Sequence, residues 1–92
     1  MINKDLFKLS VVIPCYNEKQ TVIKIIQEVR KSIKNNNIDK YEIIIVDDFS
    51  SDGTLELLKS IENDNDISIF YHSENLGKGS AIQSALKHIT GD

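Results

Sequence analysis

Three short polar segments carry most of the groups in this sequence that could do chemistry. They are PCYNE at Pro14–Glu18, DDFSSDG at Asp47–Gly53 and HSENLGKG at His72–Gly79. The first two directly follow apolar runs, and a carboxylate beside a core is costly to bury unless something binds it. The three segments therefore contain the candidate functional residues. They can form one site only if the fold brings them together.

The adjacent carboxylates Asp47 and Asp48 allow two interpretations. A carboxylate only accepts hydrogen bonds, so an aspartate facing a nucleobase would select an edge with ring N–H or amino donors. Uracil and guanine have such an edge, and adenine has no ring N–H there. In the alternative interpretation, both aspartates start a turn and complement the N-terminus of the next helix.

Tyr16, Glu18 and Lys78 are further candidate binding residues. The ring of Tyr16 could stack on a base, and Glu18 could accept a hydrogen bond from a ribose hydroxyl. Lys78 stands between two glycines at a helix start, where backbone N–H groups and the helix dipole favour an anion such as a diphosphate. The structural alternatives are a core-edge position for Tyr16, a first-turn position for Glu18 and a solvated turn for Lys78.

The cysteine, the histidines and the glycine motifs of the sequence do not indicate a catalytic group or a further known binding motif. Cys15 is expected to be a small buried filler, and His72 a strand-end residue without a chemical role. The cysteine and histidine spacings offer no zinc site. PCYNE has no glycine for a dinucleotide fingerprint, and GKGS does not fit a P-loop.

Composition limits the class of protein. The chain has 92 residues, which predicts one small domain at most. Its net charge of −3 argues against a general nucleic-acid binder. No apolar run approaches the roughly 20 residues of a membrane span, and MINKDLFKLS lacks the apolar core of a signal peptide. A single cysteine excludes an internal disulfide framework, so a cytoplasmic setting is predicted.

Two alternating periodicities predict the elements that position these segments. Strands are expected at Lys8–Pro14, Tyr41–Asp47 and Ile67–His72, and helices from Lys19 to about Asn35, after Ser51 or Asp52, and from Lys78 to about Thr90. The apolar residues expected to give the helices their buried faces are Val22, Ile26, Val29 and Ile33, then Leu55, Leu58 and Ile61, then Ile82, Ala85, Leu86 and Ile89.

Three helix ends have candidate capping residues. Asn17 would cap the first helix, with Gln20 in capping-box position. Ser51 or Asp52 would cap the second helix, and Gly91 would end the third.

The order βαβαβα predicts an α/β fold, with a parallel sheet and helices on both faces in three layers. Ligands in such sheets bind beyond the carboxyl ends of the strands. All three polar segments would lie at that rim, whereas KNNNIDK and NDND at the other rim would be solvated turns.

The segments VVIPCYNE, YEIIIVDDFSSDGT and NLGKGSAI…GD, in this order, resemble the N-terminal part of the GT-A glycosyltransferases. The resemblance is to the large inverting family that includes dolichol-phosphate mannose synthase, and it extends from about Leu9 to Asp92. It implies that residues 1–92 form a single partial domain, the N-terminal nucleotide-binding half of a GT-A fold.

The resemblance implies transfer of a sugar from a UDP- or GDP-sugar to an acceptor, with inversion. By position, the nucleoside pocket would be lined by Pro14, Tyr16, Glu18, Val46 and Asp48, and the diphosphate side by Lys78, with Asp47, Gly77 and Gly79 supporting the loops. Phe49 stands where many members have a small residue, so its ring either crowds the loop or turns outward.

The resemblance also implies an Asp-x-Asp motif for Mg²⁺ or Mn²⁺ in the next strand, which lies beyond TGD at the end of this sequence. We therefore expect this chain alone to bind no metal and to have no transferase activity. The parent enzyme would use a membrane or lipid-linked acceptor, and could be attached to the cytoplasmic face of a membrane.

Two other classes fit parts of the pattern. A receiver-type signalling domain also places an acidic pair at a strand end, although there the pair follows the first strand. A non-catalytic oligomerising module is the other alternative, because the strand SVVIP would have an unpaired edge that invites pairing between chains.

Overall fold

The computed structural model describes residues 8–89, and the expected terminator Gly91 lies outside this range. The elements follow the predicted order: β1 Leu9–Cys15, α1 Val22–Asn35, β2 Tyr41–Asp47, α2 Thr54–Ile61, β3 Ile67–Tyr71 and α3 Lys78–Leu86. None of the helices within residues 8–89 is both long enough and apolar enough to cross a membrane.

The three strands form one parallel sheet in the order β1-β2-β3. Cys15 at the end of β1 is level with Asp47, and Asp47 is level with Tyr71 at the end of β3. The three strands therefore end at one rim, and the three polar segments leave the sheet side by side, as predicted.

Strand β2 is central and is buried on both faces. Ile43 and Ile45 pack with residues of α1, α2 and both outer strands, whereas Ile44 and Val46 pack against Ala81 and other residues of α3. The sheet thus has α1 and α2 on one face and α3 on the other. This confirms the three-layer α/β arrangement.

The buried face of α3 differs from the prediction. Ala81 and Ala85 are fully buried, whereas Ile82 is exposed and Leu86 has 57% of its surface exposed. The helix also ends at Leu86, before the expected Thr90. Small side chains let the backbone of α3 pack closely on β2, so Ala81 and the predicted Ala85 face the sheet. Ile89, which was also predicted to be buried, packs against the same cluster beyond the end of the helix.

The predicted cap of α1 is wrong. The helix begins at Val22, Thr21 occupies the cap position without a side-chain cap bond, and Asn17 and Gln20 lie outside the helix. A tight turn takes their place, in which Glu18 accepts a hydrogen bond from the Thr21 hydroxyl at 2.8 Å. Asn17 has a left-handed backbone (φ 52°) and bonds another loop instead.

The start of α2 uses the predicted Asp52, but one residue before the cap position. Gly53 occupies that position with φ 100°, where a side chain would be strained. Asp52 accepts hydrogen bonds from the Thr54 N–H at 3.0 Å and from the Thr54 hydroxyl.

The opposite rim is more ordered than the sequence indicated. Arg30 of α1 donates two hydrogen bonds to Asp66, at 2.7 and 2.9 Å, and one to Asp64 at 2.9 Å. Asp66 also accepts from the Tyr41 hydroxyl at 2.8 Å. The NDND turn is therefore tied to α1 and β2, and is not a freely solvated turn.

Candidate functional site

Asp48 connects the second polar segment to the third. Its Oδ1 accepts a hydrogen bond from the Leu76 N–H at 2.9 Å, and its Oδ2 accepts one from the Gly77 N–H at 2.8 Å. The Nδ1 of His72 lies 2.9 Å from Oδ1. A carboxylate has about four acceptor positions, so three are filled and one, on Oδ2, remains.

The surroundings of Asp48 stabilise its charged form. Only 5% of its side-chain surface is exposed, and burial alone would raise its pKa. The hydrogen bond from His72, followed by that from the Leu76 amide, lowers the pKa below 3.8 instead. Asp48 is therefore an ionised, nearly buried acceptor at neutral pH.

Asp47 connects the second segment to the first. Its two carboxylate oxygens accept hydrogen bonds from the N–H and the hydroxyl of Ser50, at 3.0 and 2.5 Å. The Ser50 oxygen in turn accepts from the Asn17 N–H at 2.9 Å, and the Asn17 side chain accepts from the Ser51 N–H at 2.8 Å. Asp48 thus holds the third polar segment, and Asp47, through Ser50, holds the first.

Phe49, directly after the two aspartates, turns outward. Its backbone is left-handed (φ 64°), and 54% of its surface is exposed. Of the two expectations for this residue, the outward ring is the observed one. The left-handed backbone also gives a physical reason why a small residue suits this position.

One cavity of about 130 Å³ lies where the first and third segments meet Asp48. Its lining residues are Pro14, Cys15, Tyr16, Glu18, Asp48, Lys78 and Ala81. Five of the six residues predicted to contact a nucleotide are in this set. A larger opening of about 440 Å³ lies beside it, formed by the Asn17–Thr21 loop and Asp52, and it shares Glu18 with the cavity.

Val46 is the predicted pocket residue that does not line the cavity. Its side chain is fully buried in the cluster that joins β2 to α3. Asp47, Gly77 and Gly79 also lie outside the lining set. Gly77 has φ 92°, which a residue with a side chain rarely adopts, so it shapes the turn that leads into α3.

The lining residues differ in what they can do chemically. Tyr16 has 48% of its surface exposed, so its ring is available for stacking. Lys78 is the first residue of α3, where its charge adds to the positive end of the helix dipole. Burial raises the pKa of Cys15 to about 12, so its thiol is uncharged and is not a nucleophile.

His72 has more contacts than the sequence indicated. Its largely buried ring bonds Asp48 through Nδ1 and the Ser84 oxygen through Nε2, at 2.9 and 2.8 Å. The order Ser84–His72–Asp48 is that of a hydrolase triad, but Ser84 is not among the cavity-lining residues, so its hydroxyl is not placed to act as a nucleophile in the cavity. The sequence did contain a signal for this contact: His72 directly follows β3, and the parallel register places it level with the aspartates at the end of β2.

No metal site was found among the residues that the structure describes. Within residues 8–89, no group of three or more His, Cys, Asp or Glu side chains could hold a metal ion. The side chains around the cavity therefore do not fit a bound divalent cation, and we assign no step through a metal to them.

The fold and the site define an α/β protein with a polar cavity at the carboxyl rim of a parallel sheet, the usual place for a ligand in this class. A sequence profile described as "Glycosyl transferase family 2" matches residues 10–92. The chain belongs to this family, and the structure has the α/β arrangement of GT-A transferases.

Individual relatives agree with the family. The chain is 38% identical to undecaprenyl-phosphate 4-deoxy-4-formamido-L-arabinose transferase from Yersinia pestis, over 99% of this chain and 28% of that protein. The enzyme of the same name from Yersinia pseudotuberculosis shows the same identity and coverage. The chain thus spans about 28% of the length of these curated relatives.

Two solved structures show the same fold. One is S. aureus TarS 1-349 in complex with UDP, with a TM-score of 0.73 and 26% identity over 91% of this chain and 25% of that one. The other is the mannosyltransferase PcManGT from Pyrobaculum calidifontis in complex with GDP-Man and Mn²⁺. Its TM-score is 0.68, with 31% identity over 90% of this chain and 24% of that one.

Proposed function

We propose that this chain is the nucleotide-sugar-binding part of a glycosyltransferase that takes a UDP- or GDP-sugar as donor. The observation that carries the proposal is the convergence of Tyr16, Asp48 and Lys78, from three separate loops, on one cavity. The family match favours this function over a receiver-type signalling domain.

The residues predicted to form the nucleoside pocket have roles that their chemistry supports. Tyr16 stacks on the base, and the remaining acceptor position on Asp48 Oδ2 receives a ring N–H of uracil or guanine. Glu18 accepts from a ribose hydroxyl, and Pro14 closes one side of the nucleoside. Val46 supports this pocket from within the core.

The diphosphate would lie at the start of α3. The first N–H groups of a helix have no partner within the helix, and they attract an anion together with the dipole. Lys78 adds a positive charge at this end, and the flanking Gly77 and Gly79 let the backbone come close to the phosphates. Apart from its neighbours in the chain and the backbone of its own helix, neither glycine has a heavy atom within 4 Å of the place where a side chain would begin.

The size of the cavity predicts weak binding by this chain alone. Its volume of about 130 Å³ is smaller than the roughly 300–1,000 Å³ of typical ligand pockets. It can enclose one ring system, so the sugar and the diphosphate would lie over open surface. We expect dissociation constants on the order of 0.1–1 mM, which correspond to roughly 4–5.5 kcal/mol.

The complete reaction needs groups that this chain does not supply. The longer enzyme would use Mg²⁺ or Mn²⁺ to stabilise the departing diphosphate and transfer the sugar with inversion. The Yersinia relatives are named for undecaprenyl phosphate, and we propose a lipid-linked acceptor of this kind, with the enzyme at the cytoplasmic face of a membrane. The isolated chain is expected to show no sugar transfer.

Isothermal titration calorimetry of the chain with UDP, GDP and ADP tests the donor proposal. We expect UDP or GDP to bind at least about tenfold more tightly than ADP, because adenine offers no ring N–H to Asp48. A Tyr16→Ala variant should weaken all three nucleotides by a similar factor, since stacking does not depend on the base. Equal affinities for all three nucleotides in the wild-type chain would rule out base recognition by Asp48.

A second proposal, that the chain self-associates, follows from the edge of β1. Among residues 8–89, β1 pairs with β2 on one side only. The Leu9 N–H and the Cys15 carbonyl point to β2, so by strand alternation the backbones of Val12 and Pro14 point to the other side. Proline lacks an N–H, and its place at a sheet edge is one that sheets tolerate.

The outer edge of β1, at Val12 and Pro14, could pair with the same edge of a second chain. Sedimentation velocity from about 10 µM to 1 mM should then show a dimer that grows with concentration. A monomer across the whole range would contradict self-association and would leave the nucleotide proposal intact.

A further inference from the structure

His72 joins three of the elements that surround the candidate site. Its backbone N–H donates to the Asp47 carbonyl at 2.8 Å, which continues the sheet between β2 and β3. Its ring reaches Asp48 on one side and Ser84 of α3 on the other. Through this one side chain, the carboxylate at the end of β2 is tied to the helix that carries Lys78.

The hydrogen bonds define how the ring must be protonated. Asp48 is ionised and can only accept, so the Nδ1 of His72 carries a proton. In the neutral ring, Nε2 then accepts from the Ser84 hydroxyl. In the charged ring, Nε2 donates to the same oxygen, because a hydroxyl can do both. The bond to Asp48 is therefore present in either state.

His72 affects the cavity only through other residues. Neither His72 nor Ser84 lines the cavity, whereas Asp48 does. Oδ1 of Asp48 receives two donors from the protein, His72 and Leu76, and Oδ2 receives one, from Gly77. The donor from His72 is what makes the two oxygens unequal.

We propose that His72 is a positioning residue for the nucleotide site, which saturates Oδ1 of Asp48 and so fixes the acceptor position on Oδ2 that reads the base. This inference rests on the proposed function. Without the His72 donor, each oxygen would have one protein donor and one vacant position. The carboxylate would then lose the single orientation that distinguishes a base with a ring N–H from adenine.

The first arm of the test needs no ligand. Hydrogen exchange of the Leu76 and Gly77 amides is measured in the wild-type chain, in His72→Leu and in His72→Asn, whose side-chain N–H can replace that of Nδ1. We expect His72→Leu to speed exchange at both amides by about tenfold, the effect of one lost charge-assisted hydrogen bond, and His72→Asn by less than about threefold. The Ile26 amide in α1 is the control for global unfolding.

The second arm measures nucleotide preference. His72→Leu should lower the ratio of UDP or GDP affinity to ADP affinity by about tenfold, and His72→Asn should largely restore it. In an Asp48→Asn background, the same His72→Leu change should have no further effect on the ratio. A purely structural role would weaken all three nucleotides equally, and that result would overturn the inference.

The two arms separate the two claims. If the wild-type chain binds no nucleotide, the proposed function fails for this chain, and the exchange rates still decide whether His72 positions Asp48. If His72→Leu leaves exchange at Leu76 and Gly77 unchanged, the positioning role is wrong even where nucleotide binding is observed.

Discussion

Replacing Asp48 with asparagine changes one carboxylate oxygen into an NH₂ group and keeps the shape of the side chain. In the native structure both oxygens accept hydrogen bonds, Oδ1 from His72 and Leu76 and Oδ2 from Gly77. An asparagine has only one oxygen, so its NH₂ group must face at least one donor that has lost its acceptor.

The structure gives the size of the effect. If the amide oxygen takes the Oδ1 position, one half-buried donor, the Gly77 N–H, is left without a partner. A fully buried donor without an acceptor costs about 1–3 kcal/mol. Because Gly77 is only half-buried, we expect Asp48→Asn to lower the free energy of unfolding by about 1 kcal/mol, at the low end of that range. A chain of 92 residues has a total stability of roughly 5–14 kcal/mol, so the variant remains folded.

The effect of Asp48→Asn should depend on pH in a defined direction. The pKa of Asp48 is lowered below 3.8 in the folded chain, first by the His72 hydrogen bond. The ionised carboxylate therefore stabilises the fold fully above the unfolded pKa, and this contribution is lost as the pH falls through the lower folded pKa. The difference between wild type and Asp48→Asn should be constant near neutral pH and should shrink below about pH 4.

Urea unfolding followed by circular dichroism at pH 7 and at pH 3 measures both effects. Asp39→Asn, at an exposed aspartate in the loop between α1 and β2, is the matched control and should change the free energy of unfolding by less than about 0.5 kcal/mol. If Asp48→Asn is as stable as the control at pH 7, the three hydrogen bonds to Asp48 do not hold the loop, and the reasoning is wrong.

Two further substitutions and one chemical modification test separate parts of the structure. Arg30→Met should cost about 1–2 kcal/mol in thermal unfolding, because Asp66 loses a two-bond partner; an unchanged melting temperature would contradict this. Phe49→Asn should stabilise the chain by about 0.5–1 kcal/mol, because asparagine tolerates a left-handed backbone better, and a loss of stability would show that the exposed ring is needed. Cys15 should react with iodoacetamide at least about 100-fold more slowly in the folded chain than in urea, because it is buried and burial raises its pKa to about 12; similar rates would show that the end of β1 is open to solvent.

The sequence predicted the sheet and its functional rim because apolar periodicity reports burial directly. The continuous apolar run Tyr41–Asp47 predicted a strand covered on both faces, and it is the central strand. The helix starts were less predictable. Asparagine is a residue type that often caps helices. The left-handed backbone of Asn17 and its hydrogen bond to Ser51 instead depend on a loop 34 residues further along the chain.

The roles of single site residues were predictable only in part. The sequence placed Asp48 at the cavity, but not the three protein donors that fill most of its acceptor positions, because these donors come from residues 72–77. His72 was missed for the same reason, since no local pattern marks a contact across two strands. The buried face of the third helix was predicted only in part. Ala85 and Ile89 pack toward the sheet as expected, but Ile82 and Leu86 do not, because size, rather than hydrophobicity, selects Ala81 where the helix approaches the sheet closely.

The most direct test of the central claim is an NMR titration of the ¹⁵N-labelled chain with UDP, with ADP as the comparison. We expect the amide shifts caused by UDP to cluster at Tyr16, Asp48 and Lys78, and ADP to cause smaller shifts at Asp48 than at Tyr16. Shifts confined to the opposite rim around Arg30, or no shifts at millimolar UDP, would contradict a nucleotide site at the carboxyl ends of these strands.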